Sequence, residues 1–379
     1  MRDGGVRAPD RPVQTAPAAP VNLADIEARG KAVLPLAAAD YFAGGAEDEV
    51  TLRANRAAFE SIALRPRYLV DVSERSLATT VLGTPVVLPV LLAPTGFQQL
   101  AHPEGELATA RAAAEAGTIM VLSTFSTVSM EDVQHSTPAA PKWFQLYVHK
   151  DRGLTRNLVQ RAHASGYTAL VLTVDVPVLG RRERDLRNGF VLPPTLRVAN
   201  FDMTQSDSLH DAGEESGLAR FHRGLREPAF SLKDVDWLAT LSPLPILLKG
   251  VLRGDDARAS LDHGVKGIIV SNHGGRQLDG AIPGIRALPD VVEQVAGRCE
   301  VLVDGGVRRG TDIVKALASG ARAVLIGRPL VWGLAWNGAA GVVEVLRILG
   351  EELDTAMALC GARNPAQLTS DMVVQDGMS

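Results

Sequence analysis

Eight short apolar segments recur along this chain, and each precedes an alanine-rich stretch typical of a helix. They are residues 88–93, 118–123, 143–148, 169–175, 245–250, 267–272, 300–305 and 323–327. Most begin about 23 to 33 residues apart, the length of one strand, one helix and two loops. Apolar strands that alternate with helices favour a parallel sheet covered on both faces. Eight such units predict an α/β fold, a closed (β/α)8 TIM barrel rather than an open doubly wound sheet.

The rest of the chain is predicted to attach to this one barrel domain, which spans residues 21–379. Residues 1–20 are rich in Pro, Ala and Arg and predict a disordered leader. An N-terminal helical arm follows: Asn22 caps a first helix, a second runs from about Leu34 to Tyr41, and a third begins near Glu47, where acids suit the helix dipole.

One interval between strands is much longer than the others. About 70 residues separate the fourth and fifth strands, and residues 200–232 within it are polar, acidic and weakly periodic. We interpret residues 190–235 as an insertion after strand 4. Two interpretations stay open: a lid over the barrel mouth, or a disordered surface loop.

Charge and cysteine content exclude several classes of partner. The net charge is −4, whereas nucleic-acid and anionic-membrane surfaces need a concentrated basic face, so neither partner is expected. No run approaches 18 apolar residues, so no membrane-spanning helix is expected either. The two cysteines, Cys299 and Cys360, lie far apart, which argues against a disulfide scaffold and fits a cytoplasmic protein.

Common cofactor and metal motifs are missing. The chain has 36 glycines but no GxG triplet, so it lacks the Rossmann dinucleotide fingerprint. It also has no GxxxxGK[ST], GxSxG or HExxH motif. Its eight histidines are scattered singly, so no metal site is predicted.

Polar residues stand at the carboxyl ends of the predicted strands, where such barrels carry their chemistry. After the last two strands, glycines and arginines coincide where these barrels commonly bind phosphate with backbone amides and guanidinium groups. We therefore predict a phosphate site there, although glycine after a strand is also ordinary turn chemistry. The strand-end candidates are Thr95, Ser123, Gln145, Tyr147, Thr173, Asp175, Lys249, Ser271, His273, Asp304, Gly305, Gly306, Arg308, Gly327 and Arg328.

The loop after strand six supplies the best candidate for a general base. Histidine has an ordinary pKa near neutrality, which makes His273 a natural general base, and Asp175 at the end of strand four is suited to orient its imidazole. Arg276 is suited to bind a substrate carboxylate, and Arg182, of the Arg181–Arg182 pair, is a second candidate. Lys249 could be a Schiff-base nucleophile or a cation facing an anionic cofactor.

Four motifs resemble those of the FMN-dependent (S)-2-hydroxy acid oxidases and dehydrogenases, the family of glycolate oxidase, lactate oxidase and the mandelate and hydroxymandelate enzymes. The motifs are YFAGGAED at residues 41–48, HPEGE at 102–106, SNHGGRQ at 271–277 and DGGVRRG at 304–310. The resemblance runs from about Asn22 to the C-terminus. It implies a (β/α)8 barrel that carries one FMN and forms a tetramer or octamer, with a small 2-hydroxy acid and O2 as partners.

The resemblance also implies a role for each candidate. His273 would be the catalytic base with Asp175 as its partner, and Tyr147 would hydrogen-bond the substrate hydroxyl. Tyr41 and Arg276 would bind the substrate carboxylate, and Arg182 would be an additional substrate-binding arginine of the active site. The implied cofactor-binding residues are Pro94, Thr95, Gly96, Ser123, Gln145, Thr173 and Ser271 at the isoalloxazine ring, Lys249 near flavin N1, Asp304 at the ribityl chain, and Gly305, Gly306, Arg308, Gly327 and Arg328 at the phosphate.

Two residues depart from the glycolate oxidase pattern, which has alanine where this chain has Gly96 and tryptophan where it has Phe125. Both changes enlarge the pocket and favour substrates larger than glycolate, such as lactate, mandelate-like or medium-chain acids. Glycine at the first position also occurs in mandelate dehydrogenase-like and lactate monooxygenase-like relatives.

We therefore expect an FMN-dependent (S)-2-hydroxy acid oxidase that yields a 2-keto acid and hydrogen peroxide. The alternatives are a dehydrogenase that passes electrons to a quinone or cytochrome, or a lactate monooxygenase-like enzyme. Two hypotheses from other functional classes remain open. One is a flavin-free lyase or aldolase that uses Lys249 as a Schiff base, and the other is a non-catalytic scaffold protein.

Overall fold

Eight parallel strands close into a barrel in the computed structural model, which describes residues 19–201, 209–210 and 217–375. Each strand pairs with the next along the chain, and the eighth pairs with the first through Val324 and Val90. The (β/α)8 prediction is therefore confirmed. The strands are β1 (Val90–Leu92), β2 (Met120–Leu122), β3 (Lys142–Leu146), β4 (Ala169–Thr173), β5 (Ile246–Val251), β6 (Gly267–Val270), β7 (Glu300–Asp304) and β8 (Ala323–Ile326).

A helix follows each strand and covers the outside of the barrel. In order these are Gly105–Glu115, Met130–Ser136, Arg152–Ala164, Leu232–Ala239, Gly254–Leu261, Gly284–Val295, Gly310–Ala318 and Arg328–Cys360. In the part of the chain that the structure describes, 3₁₀ turns lie at Gln98–Leu100, His273–Gly275, Pro365–Gln367 and Ser370–Met372. Two short antiparallel pairs lie outside the barrel: Ile62–Leu64 with Val373–Gln375, and Thr79–Val81 with Thr84–Val86.

The strands are apolar throughout because both of their faces are buried. On β3, Trp143 belongs to the cluster that fills the barrel, and the adjacent Phe144 packs in the layer between strands and helices. Successive side chains of a strand point to opposite faces, so one apolar strand serves both layers. This double burial is why the strand signal in the sequence is a continuous run rather than an alternation.

The N-terminal arm contains three helices, Leu23–Val33, Leu36–Ala43 and Val50–Glu60. Asn22 caps the first as expected, since its side-chain oxygen accepts the N–H groups of residues 24 and 25. The expected start of the third helix near Glu47 is wrong. This helix begins at Val50, and the acid at its N-terminus is Asp279, whose carboxylate accepts the N–H groups of Val50 and Thr51 at 3.1 and 2.7 Å. The cap is thus supplied by a loop distant in sequence.

A short helix, Glu183–Arg187, precedes the predicted insertion of residues 190–235, and the helix Gly217–Leu225 lies within it. Residues 202–208 and 211–216 of the predicted insertion lie outside the described residues, as do residues 1–18 of the predicted leader. In the second helix, Leu218, Phe221 and His222 are buried, and the Phe221 ring lies 5.2 Å from that of Phe125. The described part of the insertion therefore packs onto the barrel.

One described helix, Arg328–Cys360, is long and apolar enough to cross a membrane by length and composition. In this fold, 67% of its most apolar window is buried. Packing within the fold therefore accounts for its apolar residues.

Candidate active site

A single cavity at the carboxyl ends of the strands brings the predicted residues together. All of them line it except Asp175 and Ser271. These two contact lining residues instead: Asp175 contacts His273, and Ser271 accepts a hydrogen bond from Lys249. The lining residues are Tyr41, Phe42, Ala93, Pro94, Thr95, Gly96, Ser123, Phe125, Gln145, Tyr147, Thr173, Arg182, His222, Lys249, His273, Gly274, Arg276, Asp304, Gly305, Gly306, Val307, Arg308, Leu325, Ile326, Gly327, Arg328 and Val331.

His273 is held in one orientation by two neighbouring groups. Its Nδ1 lies 2.9 Å from Asp175 Oδ1, and its backbone N–H donates to Ser271 Oγ at 3.0 Å. The backbone of His273 is left-handed, with φ 57°, a conformation uncommon for a residue with a side chain and concentrated at functional sites. A Cβ at Gly250, on β5, would lie 2.5 Å from Asp175 Cγ, so only glycine leaves room for this carboxylate.

The electrostatics of this pair keep the imidazole neutral at neutral pH. Burial lowers the pKa of His273 below its ordinary value, although the charge of Asp175 opposes the shift. Burial raises the pKa of Asp175, but His273 and Lys249 outweigh it and hold that pKa below its ordinary value. Asp175 is therefore ionised and accepts the Nδ1–H of a neutral His273, which leaves a lone pair on Nε2.

Lys249 is a buried cation with two partners. Its Nζ lies 3.0 Å from Asp304 Oδ2 and donates to Ser271 Oγ at 2.9 Å. Burial lowers the pKa of Lys249, but the charges of Asp304 and Asp175 outweigh it and raise the pKa above its ordinary value. A Schiff-base lysine needs the opposite shift, so this geometry favours charge stabilisation over nucleophilic attack.

Two arginines fasten the arm to the barrel mouth. Arg276 donates to the carbonyl oxygens of Tyr41 and Gly44 at 2.6 and 2.8 Å. Arg328 donates to the carbonyl oxygens of residues 42, 43, 44 and 274. These contacts explain the YFAGGAED motif, because they place Tyr41 in the cavity wall.

The two arginines of the Arg181–Arg182 pair, after β4, have different surroundings. Arg182 is 9% exposed and lines the cavity, whereas the Arg181 side chain is 68% exposed and lies 3.6 Å from Glu183. Of the pair, only Arg182 is placed to meet a ligand in the cavity.

Gln145 is fixed on the opposite wall with its amide orientation defined. Its Oε1 accepts the Thr124 N–H at 3.1 Å, and its Nε2 donates to Thr173 Oγ1 at 3.1 Å. Ser123 Oγ lies 3.4 Å from the same Oε1. The barrel thus presents a connected polar wall at the ends of β2, β3 and β4.

The end of the cavity beside β7 and β8 is cationic and has bare backbone. Gly306 has φ 97°, and a Cβ there would lie 2.2 Å from the Asn55 carbonyl oxygen, so the loop requires glycine. Arg308 and Arg328 line this end, and burial lowers the pKa of Arg308 to about 10, which leaves it charged at neutral pH. Asp304 Oδ1 is buried and has no hydrogen-bond partner among the described residues. Asp304 Oδ1 is thus free to accept a hydrogen bond from a ligand hydroxyl, and the cationic end of the cavity is suited to bind a phosphate.

The family model described as FMN-dependent dehydrogenase matches residues 30–375 of the chain. The chain belongs to this family. It is 58% identical over 350 residues to the L-lactate oxidase of a Nostoc species, covering 92% of this chain and 96% of that protein. It is 50% identical to 2-hydroxyacid oxidase 1 of Homo sapiens, covering 92% and 95%. A solved mandelate oxidase with (S)-4-hydroxymandelic acid superposes with a TM-score of 0.89 at 44% identity, covering 93% and 98%.

The residues at the cavity fit the FMN of this family. Buried Lys249 is a cation facing the cavity, as an electron-rich ring edge requires, and the unpartnered Asp304 Oδ1 is an acceptor for a ribityl hydroxyl. The cationic end with Gly306 suits the phosphate. None of these features depends on a metal, and the described residues contain no group of three or more His, Cys, Asp or Glu placed to hold one.

Several residues near the cavity were not found by reasoning from the sequence. His222 lines the cavity, Arg226 stacks on the Tyr147 ring, and Asp185 is buried where the charges of Arg276 and Arg182 act on it. Asp185 lies just before the insertion and His222 and Arg226 lie within it, in a stretch where charged residues are frequent and no strand end marks a functional position. The helical periodicity of Gly217–Leu225, with Leu218, Phe221 and His222 on one face, is the signal that could have found His222.

Proposed function

We propose that this protein oxidises (S)-2-hydroxy acids to 2-keto acids with FMN as cofactor and O2 as electron acceptor. The observation that carries the proposal is the His273–Asp175 pair, at 2.9 Å, in one cavity with the cations of Arg276 and Lys249. A base, a carboxylate-binding group and a cation for an anionic cofactor are the three elements that this oxidation needs.

The substrate is held so that its reacting carbon meets the base. Arg276, Arg182 and Tyr41 bind the carboxylate, and Tyr147 hydrogen-bonds the hydroxyl; all four line the cavity. A planar guanidinium suits a carboxylate because it donates two parallel hydrogen bonds. These contacts orient the substrate toward His273 and exclude water from the reacting centre.

His273 then takes a proton from the substrate on Nε2. Asp175 stabilises the imidazolium that forms, since it already accepts the Nδ1–H. Bound FMN would supply the redox chemistry: it would take up the two electrons and the second hydrogen of the substrate, and these, with the proton held on His273, would reduce O2 to hydrogen peroxide. Lys249 would offset negative charge at the ring edge, and Pro94, Thr95, Gly96, Ser123, Gln145, Thr173 and Ser271 would support the ring. Asp304 would hold the ribityl chain, and Gly305, Gly306, Arg308, Gly327 and Arg328 would hold the phosphate.

The oxidase assignment is supported by the similarity to proteins named L-lactate oxidase, 2-hydroxyacid oxidase and mandelate oxidase. Anaerobic titration with (S)-lactate, glycolate, (S)-mandelate and longer (S)-2-hydroxy acids tests it, with bleaching of the flavin spectrum as the expected result. Admission of air should restore the spectrum and release one hydrogen peroxide per 2-keto acid. Bleaching without the release of peroxide in air would contradict the oxidase assignment and support a dehydrogenase or a monooxygenase-like enzyme.

The rivals from other classes make different predictions. A lyase or aldolase would be trapped by borohydride on Lys249, which the Lys249–Asp304 ion pair at 3.0 Å disfavours. A non-catalytic scaffold would be indifferent to the loss of His273.

Three further properties belong to the proposal. Residues 21–379 act as one FMN-binding domain. The protein is a homo-oligomer, a tetramer or octamer, and it works in the cytoplasm. Light scattering after size exclusion measures the assembly, and fractionation of cells measures the location.

A further inference from the structure

The cavity has a second imidazole, and it comes from the insertion. His222 lies on the helix Gly217–Leu225, is 4% exposed and lines the cavity. Its ring centroid is 5.1 Å from that of Phe125 and 6.4 Å from that of Tyr147, and both contacts are edge-on. His222 is therefore a polar group set into an aromatic wall.

Arg226, at the end of the same helix, determines which nitrogen of His222 carries the proton. Arg226 Nη2 lies 3.3 Å from His222 Nδ1. A guanidinium only donates hydrogen bonds, so Nδ1 must be the acceptor. Burial lowers the pKa of Arg226 to about 10, which leaves it protonated at neutral pH. The proton of a neutral His222 consequently resides on Nε2.

Arg226 is itself held rigidly. Its Cζ lies 3.0 Å from the centroid of the Tyr147 ring and 5.5 Å from that of Phe125. It is 4% exposed, and its Nε has no hydrogen-bond partner in the part of the chain that the structure describes. Burial and the Arg226 charge also lower the pKa of His222 well below its ordinary value, so the imidazole is neutral.

An N–H donor in an aromatic wall discriminates between substrates. A substrate with a purely alkyl side chain displaces water from the donor and returns no hydrogen bond, which carries a free-energy penalty. A substrate with an oxygen on its side chain avoids that penalty. Phe125 and Tyr147 supply the apolar surface for the rest of the side chain.

We propose that His222 is a specificity-determining residue that selects 2-hydroxy acids with an oxygen acceptor in the side chain, and that Arg226 positions it. The inference rests on the proposed function, since it concerns the substrate of the same cavity. Arg226 acts through His222 by fixing its tautomer.

Pairs of substrates matched in size test this selection in the FMN-loaded enzyme. (S)-2-Hydroxy-3-methoxypropanoate is compared with (S)-2-hydroxypentanoate, and (S)-2-hydroxy-4-methoxybutanoate with (S)-2-hydroxyhexanoate. Each ether replaces one methylene by an oxygen that only accepts hydrogen bonds. The quantity measured is the second-order rate constant of anaerobic flavin bleaching, expressed as the ratio of ether to alkyl acid.

For at least one pair, this ratio should fall about tenfold from the wild type to His222→Leu, because a lost hydrogen bond to a buried donor has about that effect. Any intrinsic difference in reactivity between ether and alkyl acids cancels in the comparison. His222→Gln should retain the preference, because its amide nitrogen reaches the position of Nε2, and His222→Asn should lose it, because its amide reaches only that of Nδ1. Arg226→Met should reduce the preference and Arg226→Lys should retain part of it.

Equal ratios in the wild type and His222→Leu for both pairs would overturn the inference. If His222→Leu does not retain FMN, the Gln and Asn variants decide, and equal ratios in those two would overturn it as well. Failure of the proposed function looks different, since then none of the acids, (S)-lactate included, bleaches the wild-type flavin.

Discussion

The cavity has two walls of different origin. One wall is made by strand ends of the barrel and carries Lys249, on β5, and His273, which follows β6. The other is made by the insertion after β4 and carries His222, whose Nδ1 lies 3.3 Å from Arg226 Nη2. Barrel strands fix their side chains by pairing on both edges, whereas the inserted helices are fixed only by what they pack against. We infer that the barrel wall carries the reaction and that the insertion wall chooses its substrate.

The largest effect is expected at His273. His273→Asn should slow anaerobic flavin reduction by about 10² to 10⁴, the usual contribution of a general base, with FMN still bound. Stopped-flow absorbance measures the rate. The matched control is His263→Ala, because His263 also contacts a carboxylate, Asp236 at 2.9 Å, but lies on the surface. A similar loss in both variants would contradict the role of His273.

The second effect concerns two buried lysines. Lys249→Met leaves Asp304 buried without its partner and should lower the free energy of unfolding by about 3 to 5 kcal/mol. The same variant should also slow flavin reduction. Lys142, on β3, donates to two backbone carbonyls, so Lys142→Met should cost about 1 to 3 kcal/mol and leave the reduction rate of the folded enzyme unchanged. Denaturant unfolding and stopped-flow absorbance measure the two quantities. If Lys249→Met and Lys142→Met changed the rate of flavin reduction equally, Lys249 would have no special role in the reaction.

The third effect separates the charge of Asp175 from its role in orienting His273. Asp175→Asn should reduce the rate by at least about 10², because the imidazolium loses its stabilising charge. The Asp175 charge raises the pKa of His273 against burial, so the variant should have a lower pKa at this histidine. Activity falls as His273 becomes protonated, and this acid limb should therefore move to lower pH. A limb that stays in place or moves to higher pH would show that another group titrates.

The smallest effect is expected where the barrel wall meets Phe125. A Cβ at Gly96 would lie 3.2 Å from Phe125 Cβ and 3.7 Å from the Tyr41 hydroxyl, so Gly96→Ala narrows the cavity. The ratio of kcat/KM for (S)-mandelate to that for (S)-lactate should fall about tenfold, the effect of one methyl group in a pocket. Gly224→Ala, in the inserted helix, is the control, because no atom of the described residues beyond the helix's own backbone lies within 4 Å of the new Cβ. An unchanged ratio would show that the substrate side chain does not reach Gly96.

The two residues that depart from the glycolate oxidase pattern are neighbours in space. The backbone oxygen of Phe125 also accepts the N–H of Phe97 at 2.9 Å, which ties the loop that carries Gly96 to the loop that carries Phe125. The sequence showed both residues, and the structure places them side by side in the cavity wall.

Much of the barrel wall could be predicted because strand ends can be recognised locally. A buried strand is a continuous apolar run, and the first polar residues after it lie at the mouth, which located Gln145, Lys249 and His273. The insertion could not be treated in this way, since its residues are placed by packing on Phe125 and Tyr147 rather than by strand geometry. Asp279 was missed as a helix cap for the same reason, because it lies 229 positions from Val50.

The sequence by itself determined the barrel, the order of its strands and the set of polar residues at its mouth. These follow from local hydrophobic patterns and from the constraint that parallel strands end at one face. Only the tertiary structure decided how the charges are paired: Lys249 with Asp304, His273 with Asp175, and Arg226 with the ring of Tyr147. Such pairings depend on distances between segments far apart in the chain, and these distances are fixed only when the barrel closes and the insertion packs over it.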